Sequence, residues 1–309
     1  MSRDVERFVW GGWLVFMFLV SILGNTAILL GSIKFETFKL HKVIVTFISN
    51  IAVCDLLVTI FNILSQIISL FADDWVLGKW ACYLRAYMSS YCNSVSLFLV
   101  CGMTIFKLIL LKFPLKARTW TRKQAHISTL SLWLLSLYSP AMGLLVDKDD
   151  VYYDRGMGTC LLAFSSNTWD WLLPISVVFL SLIPTLLTVL TSVLLVRHLL
   201  YARKVAKRTQ SSVPWQGIVT VVLSVTVYCL SYLPVSVYFA VKSQSDVEES
   251  LQLWFRVGDT LKYFNAAGSF FIYNFAVVSF RIFVKQLFQE VVGGLDFFSK
   301  IEDTVTVQL

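Results

Sequence analysis

The stretch Asn50-Ile51-Ala52-Val53-Cys54-Asp55-Leu56-Leu57 lies inside an apolar run from Val43 to Phe71 and carries a single acid near its middle. A run of that length crosses a hydrocarbon core about 30 Å thick as a tilted helix. Inside lipid the backbone has no water to bond, so a spanning segment is a helix or part of a closed barrel, and twenty or more residues are too many for a barrel strand. A centred Asp costs about 2.5 to 3.5 kcal/mol on insertion scales, so Asp55 marks an interior with a function and not a lipid-facing surface.

Six further apolar segments flank this one: Val9 to Ile33, Cys82 to Leu111, Ala125 to Val146, Trp171 to Val196, Trp215 to Val241 and Leu253 to Val278. The chain therefore reads as all-α, a seven-transmembrane helix bundle over residues 9–278. Residues 1–8 are expected as an extracellular N-terminal tail, 279–291 as a short amphipathic eighth helix on the inner leaflet, and 292–309 as a cytoplasmic tail. Composition agrees: of 309 residues, 57% are hydrophobic and 15% charged, with a mean hydropathy of +0.72, too little polar material to cover a soluble surface. The first segment is longer than a signal-peptide core and lacks a small-residue cleavage site, so it is read as a retained helix.

The net charge of +7 is not a nucleic-acid signal, because the positive residues gather on alternate loops. Lys34, Lys39, Lys42, Lys112, Lys116, Arg118, Arg122, Lys123, Arg197, Arg203, Lys204, Lys207, Arg208, Arg281, Lys285 and Lys300 fall on one side, which basic-loop retention makes cytoplasmic. The opposite side carries Asp73, Asp74, Asp147, Asp149, Asp150 and Asp154 among its acids, and an acidic mouth favours a cationic or peptide ligand. Topology alone, by excluding bases from that side, also accounts for these acids. Of six cysteines only Cys82 and Cys160 lie at the outer surface, and the oxidising compartment there makes a disulfide between them the expected pairing. Cys54, Cys92, Cys101 and Cys229 read as small apolar packers.

Landmarks recur in the other helices. Gly24-Asn25 lies in the first, Trp75-Val76-Leu77-Gly78 precedes Cys82, Trp133 and Pro140 mark the fourth, Pro184 the fifth, Pro234 the sixth, and Tyr273 followed by Phe280-Arg281 the seventh. With Asp55 and the cysteine pair, these resemble the landmarks of rhodopsin-like G-protein-coupled receptors along Phe8 to Val291. The resemblance implies a receptor that passes extracellular ligand binding to a heterotrimeric G protein, with Lys107 and Tyr273 at the coupling end. It also implies a sodium ion in a polar core of Asn25, Asp55, Ser96, Asn265 and Ser269, the alternative being a water-filled network.

Departures from the pattern are equally specific. The usual Asp-Arg-Tyr of the third helix is replaced by Phe106-Lys107-Leu108, so the restraining acid is missing and Lys lacks the planar fork of Arg. Gly268-Ser269-Phe270-Phe271-Ile272-Tyr273 stands in place of Asn-Pro-x-x-Tyr, Tyr232 in place of a sixth-helix Trp, and Ser192 in place of a fifth-helix Tyr. Phe106-Lys107-Leu108 favours a second reading, a decoy or scavenger receptor with weak or no G-protein coupling.

The expected ligand site takes Arg85, Ser89 and Asn93 from the third helix, Ser176 from the fifth, Tyr232, Ser236 and Phe239 from the sixth, and Asp259, Lys262 and Tyr263 from the seventh. Asp259 and Lys262 share a helical face and can pair, with Arg85 competing for the same carboxylate. An internal salt-bridge network that neutralises three costly charges is the plainer reading of that group. Ser89 stands where amine receptors carry Asp, which weighs against that subclass. Lys262 is one position from the retinal-binding lysine of opsins, and one residue turns a helical side chain by about 100°, which weighs against a photoreceptor.

At the cytoplasmic side, basic loop ends can meet anionic membrane lipid as well as a G protein, and Ser299, Thr304 and Thr306 are few sites for an arrestin code. Transporter chemistry would need inverted repeats or interrupted helix pairs. Enzyme chemistry is not expected: His41, His126 and His198 have no metal-ligand spacing, and no nucleophile has a base.

Overall fold

The computed structural model describes residues 3–33, 42–138, 151–155, 158–162, 182–208, 223–224, 226–228, 230–231 and 249–292. Helix α1 covers Arg3–Ile33. The second span comprises α2, Lys42–Val58, a π turn over Thr59–Ile63, and α3, Leu64–Ala72. Next come α4, Gly78–Lys112, the short α5, Pro114–Arg118, and α6, Arg122–Ser136. A hairpin of β1, Val151–Asp154, and β2, Thr159–Leu162, follows, then α7, Ile183–Arg208, α8, Glu249–Ala276, and α9, Val278–Val292.

Among the described residues, four helical stretches are long and apolar enough to cross a bilayer: Arg7–Ile33, Lys42–Ala72, Gly78–Lys112 and Ile183–Lys204. Helices α8 and α9 would make a fifth only if counted as one broken span, since they meet at a bend of 103°. The sixth span and the hairpin end of the fifth lie largely outside the described residues. Beside an apolar core, the surface carries large apolar side chains and the interior carries polar ones. Phe16, Leu23, Leu130, Leu134, Leu186 and Leu190 are exposed, whereas Asn25, Asp55, Asn62, Ser96 and Thr104 are buried. A bundle solvated by hydrocarbon sorts its side chains this way, with polar groups turned inward to find partners.

Local sequence explains the boundaries. Helix α3 stops at Asp73, whose φ of 60° takes the left-handed conformation that ends many helices. Pro114 begins α5, where its missing N–H costs nothing. Thr121 caps α6 in a reciprocal box: the Gln124 amide donates to Thr121 Oγ1 at 3.3 Å, and the Thr121 amide donates to Gln124 Oε1 at 2.8 Å. Helix α1 starts six residues before the apolar run does, and Arg7 in that extension pairs with Asp73 at the end of α3.

With no hydrophobic drive between helices in lipid, association rests on close packing and interhelical hydrogen bonds. Gly24 supplies the first: a Cβ there would lie 2.6 Å from Phe270 Cβ, so α1 and α8 approach as closely as a bare backbone permits. Asn50 and Trp133 supply the second, the indole Nε1 of α6 donating to Asn50 Oδ1 of α2 at 2.9 Å. The core between α2 and α4 is filled by Val45, Ile48, Ala52, Val95, Leu99 and Met103.

The hairpin pairs Tyr153 with Cys160. Cys160 is disulfide-bonded to Cys82 near the start of α4, with Cα atoms 5.4 Å apart. Arg155 pairs with Asp74, and Trp75 packs on Tyr153 with ring centroids 5.8 Å apart. The bundle thus has a hairpin end and, opposite it, a basic end.

Candidate functional site

A cavity opens between the second span, α4 and α8. It is small and is lined by Asp55, Val58, Asn62, Ser89, Asn93, Lys262, Tyr263, Asn265 and Ala266. Seven of the nine are polar, which at membrane depth is a costly lining with no packing rationale. Asp55 is 1% exposed and accepts a hydrogen bond from Ser269 Oγ at 3.1 Å.

The five residues expected around a sodium ion divide. Asp55 and Ser269 are joined directly, and Asn265 shares the cavity wall. Ser96 instead turns its hydroxyl to Cys54 Sγ at 3.6 Å, and Cys54 in turn donates to the Cys92 carbonyl at 3.3 Å. Asn25 donates to the carbonyls of Ser21 and Ala266, both at 2.9 Å, tying α1 to α8, while its Oδ1 is buried without a partner among the described residues. One carboxylate with neutral oxygens from Asn93, Asn265 and Ser269 is a donor set that fits a hard monovalent cation. Among the described residues no three His, Cys, Asp or Glu side chains converge as a transition-metal site would require.

Of the ligand group, Arg85, Ser89, Asn93, Lys262 and Tyr263 come together toward the hairpin end. Arg85 is 4% exposed; its Nε donates to Ser65 Oγ at 3.0 Å and its Nη2 to the Tyr263 hydroxyl at 3.3 Å. These contacts bridge three spans beside the cavity. The expected competition of Arg85 for Asp259 lies outside what is described: Asp259 has its backbone on α8 and its side chain outside the described part. Ser176, Tyr232, Ser236 and Phe239 also lie outside the described residues.

At the basic end, Lys107 is half-buried on α4, and its neighbour Phe106 is 3% exposed and packs against Trp120 with ring centroids 5.3 Å apart. An apolar contact therefore occupies the place where an acid would hold a basic neighbour. Tyr273, 4% exposed, sets its ring edge-on to Phe280 at 6.5 Å. Arg281 folds back to donate to the carbonyls of Asn274 at 3.0 Å and Phe275 at 2.8 Å, capping the last turn of α8.

Sequence reasoning passed over Val58, Asn62 and Ala266 in the cavity wall and Ser65 as the partner of Arg85. Asn62 did carry a signal, an amide inside the apolar run Ile60-Phe61-Asn62-Ile63-Leu64. Ser65 did not, since serine in a helix commonly satisfies itself on the preceding turn, as this one also does on the Phe61 carbonyl.

A family model described as 7 transmembrane receptor (rhodopsin family) matches residues 24–273. Among curated proteins the chain is similar to the cholecystokinin receptor of Xenopus laevis, 27% identical over 155 residues, 49% of this chain and 34% of the relative. It is similar to the alpha-1A adrenergic receptor of Oryzias latipes, 28% identical over 136 residues, 44% of this chain and 28% of the relative. A third likeness is to the Gq-coupled rhodopsin of Mizuhopecten yessoensis, 26% identical over 133 residues, 42% of this chain and 26% of the relative. The matched stretch spans about a third or less of each of these relatives.

Proposed function

Because the chain belongs to the rhodopsin family of seven-transmembrane receptors, we propose that it is a plasma-membrane receptor that couples ligand binding at its hairpin end to a heterotrimeric G protein at its basic end. The observation that carries this reading is the polar cavity between the second span, α4 and α8, at the side of the bundle where Arg85 bridges to Ser65 and Tyr263. A ligand with higher affinity for the state open to the G protein shifts the population toward it. Basic loops retained inside put the N-terminus outside, and the disulfide-linked hairpin then faces the oxidising medium. A peptide or cationic ligand suits the acids at that mouth, and anionic lipid and arrestin are further partners of the basic end. A sodium ion held by Asp55, Asn93, Asn265 and Ser269 would supply a fixed positive charge to the interior.

The decoy reading is favoured by one observation, the packing of Phe106 on Trp120 in place of an acid beside Lys107. Both readings are tested by expressing the chain with G-protein and arrestin sensors read in parallel across a ligand library. A ligand-dependent G-protein signal supports the receptor. Ligand uptake or arrestin recruitment with every G-protein sensor silent overturns coupling and leaves the decoy.

A further inference from the structure

Asn62 lies in the π turn over Thr59–Ile63, an irregularity that is frequent at functional sites. Its side chain is 2% exposed, and its Oδ1 has no hydrogen-bond partner among the described residues. The amide borders the polar cavity seven residues from Asp55 on the same span, and its last torsion is broad, so the oxygen can turn toward a donor there. A buried carbonyl without a donor is less stable than an apolar group of the same shape, so it calls for a donor the chain does not supply. Lys262 is not that donor: it shares the cavity wall, has a partner of its own, and does not bond Asn62 Oδ1.

The cation site in the same cavity has the complementary shortfall. Asp55, Asn93, Asn265 and Ser269 offer it four oxygen-bearing side chains, whereas hard cations commonly gather about six or more oxygens and let water complete the set. The cavity leaves room for about one water. A hard cation sits roughly 2.3 to 2.6 Å from its oxygens, closer than a water does, so the ion fits among the four side chains and the water-sized space falls to a remaining ligand. Such a water turns its oxygen to the ion and its hydrogens away from it, and each hydrogen then needs an acceptor. Asn62 Oδ1 is an acceptor without a donor beside that space.

We propose that Asn62 holds the sodium ion through one buried water, its Oδ1 accepting the hydrogen bond that the ion-bound water donates. The inference rests on the cation reading of Asp55 and adds a residue of the π turn to that site.

The test is a sodium titration of thermal unfolding, with the purified full chain in lipid-detergent micelles, the disulfide intact, and choline chloride replacing sodium chloride at constant ionic strength. In the wild type, sodium is expected to raise the midpoint saturably. In Asn62→Leu the half-saturating sodium concentration is expected to rise about fivefold, the loss of one hydrogen bond, while the midpoint in choline stays at or above that of the wild type. The choline midpoint reads packing and the titration reads the ion, so a purely structural role for Asn62 moves only the first. Asn62→Val is the second variant should Leu fail to fold, with the same rise expected. Gln66→Leu removes another unpartnered buried carbonyl, outside the cavity wall, and is expected to leave the titration unchanged. An unchanged half-saturating concentration in the Asn62 variants, or an equal rise in Gln66→Leu, overturns the role of Asn62 alone, provided that the wild-type response is lost in Asp55→Asn. No sodium response in the wild type overturns both Asn62 and the cation. No G protein is read in this experiment, so receptor coupling stands or falls separately.

Discussion

Ser269 Oγ donates to Asp55 Oδ2 at 3.1 Å, joining positions 214 residues apart in sequence. The contact ties the second span to the seventh at a carboxylate that is almost wholly enclosed. It also leaves other carboxylate lone pairs for a cation or for water, since an ionised carboxylate has about four acceptor sites.

Replacing choline by sodium at constant ionic strength should raise the unfolding midpoint of the wild type, and Asp55→Asn should abolish that response. Ser269→Ala should weaken it and cost about 0.6 to 1.7 kcal/mol, the range of interhelical hydrogen bonds in membranes. Equal midpoints in sodium and choline for the wild type would refute ion binding.

Gly24→Ala should destabilise by about 1 to 3 kcal/mol, because the new Cβ meets Phe270 at 2.6 Å and must push α1 away from α8. Gly12→Ala is the control in the same helix, having no atom within 4 Å of the added methyl. Thermal unfolding of the two variants side by side reads the difference.

Trp133→Phe keeps most of the ring packing on Tyr91, 5.8 Å between centroids, and removes only the indole donor to Asn50. A loss of about 0.6 to 1.7 kcal/mol is expected. In Asn50→Leu the same Trp133→Phe change should cost less, since the acceptor is already gone, and a double-mutant cycle measures that coupling.

The Arg155 guanidinium, together with the Trp75 amide, holds the Asp74 carboxyl below its ordinary value of 3.8. A depressed folded value means the tie is present above the unfolded value and lost as pH falls through the folded one. Hydrogen exchange of the hairpin amides, corrected for the intrinsic rate, should therefore accelerate only below about pH 4. In Asp74→Asn it should be fast at every pH; a wild-type transition near neutrality would contradict the assignment.

The sequence made the second and third spans readable because each is a long apolar run ended by turn residues or charges, and the Cys82–Cys160 link because few thiols lay outside the membrane. The first helix ran further than its hydropathy, since hydropathy ignores that Arg7 finds Asp73 beyond the apolar run. The π turn left no mark in the composition of Thr59–Ile63, yet it lies at Asn62 in the cavity wall. The family resemblance put Ser96 near Asp55, but a hydroxyl chooses among nearby acceptors and this one donates to Cys54 Sγ. The hydroxyls of Ser65 and Tyr263 that Arg85 meets were not legible in the charge pattern, which pointed only to Asp259, whose side chain lies outside the described residues.

Arg281 has one more consequence. By filling the final carbonyls of α8, it gives the right-angled exit into α9 a guanidinium hinge pin in a segment that lacks the familiar proline. Phe280 and Phe283 sink into the core just past that corner, so the guanidinium pins the bend while the two rings moor the amphipathic arm.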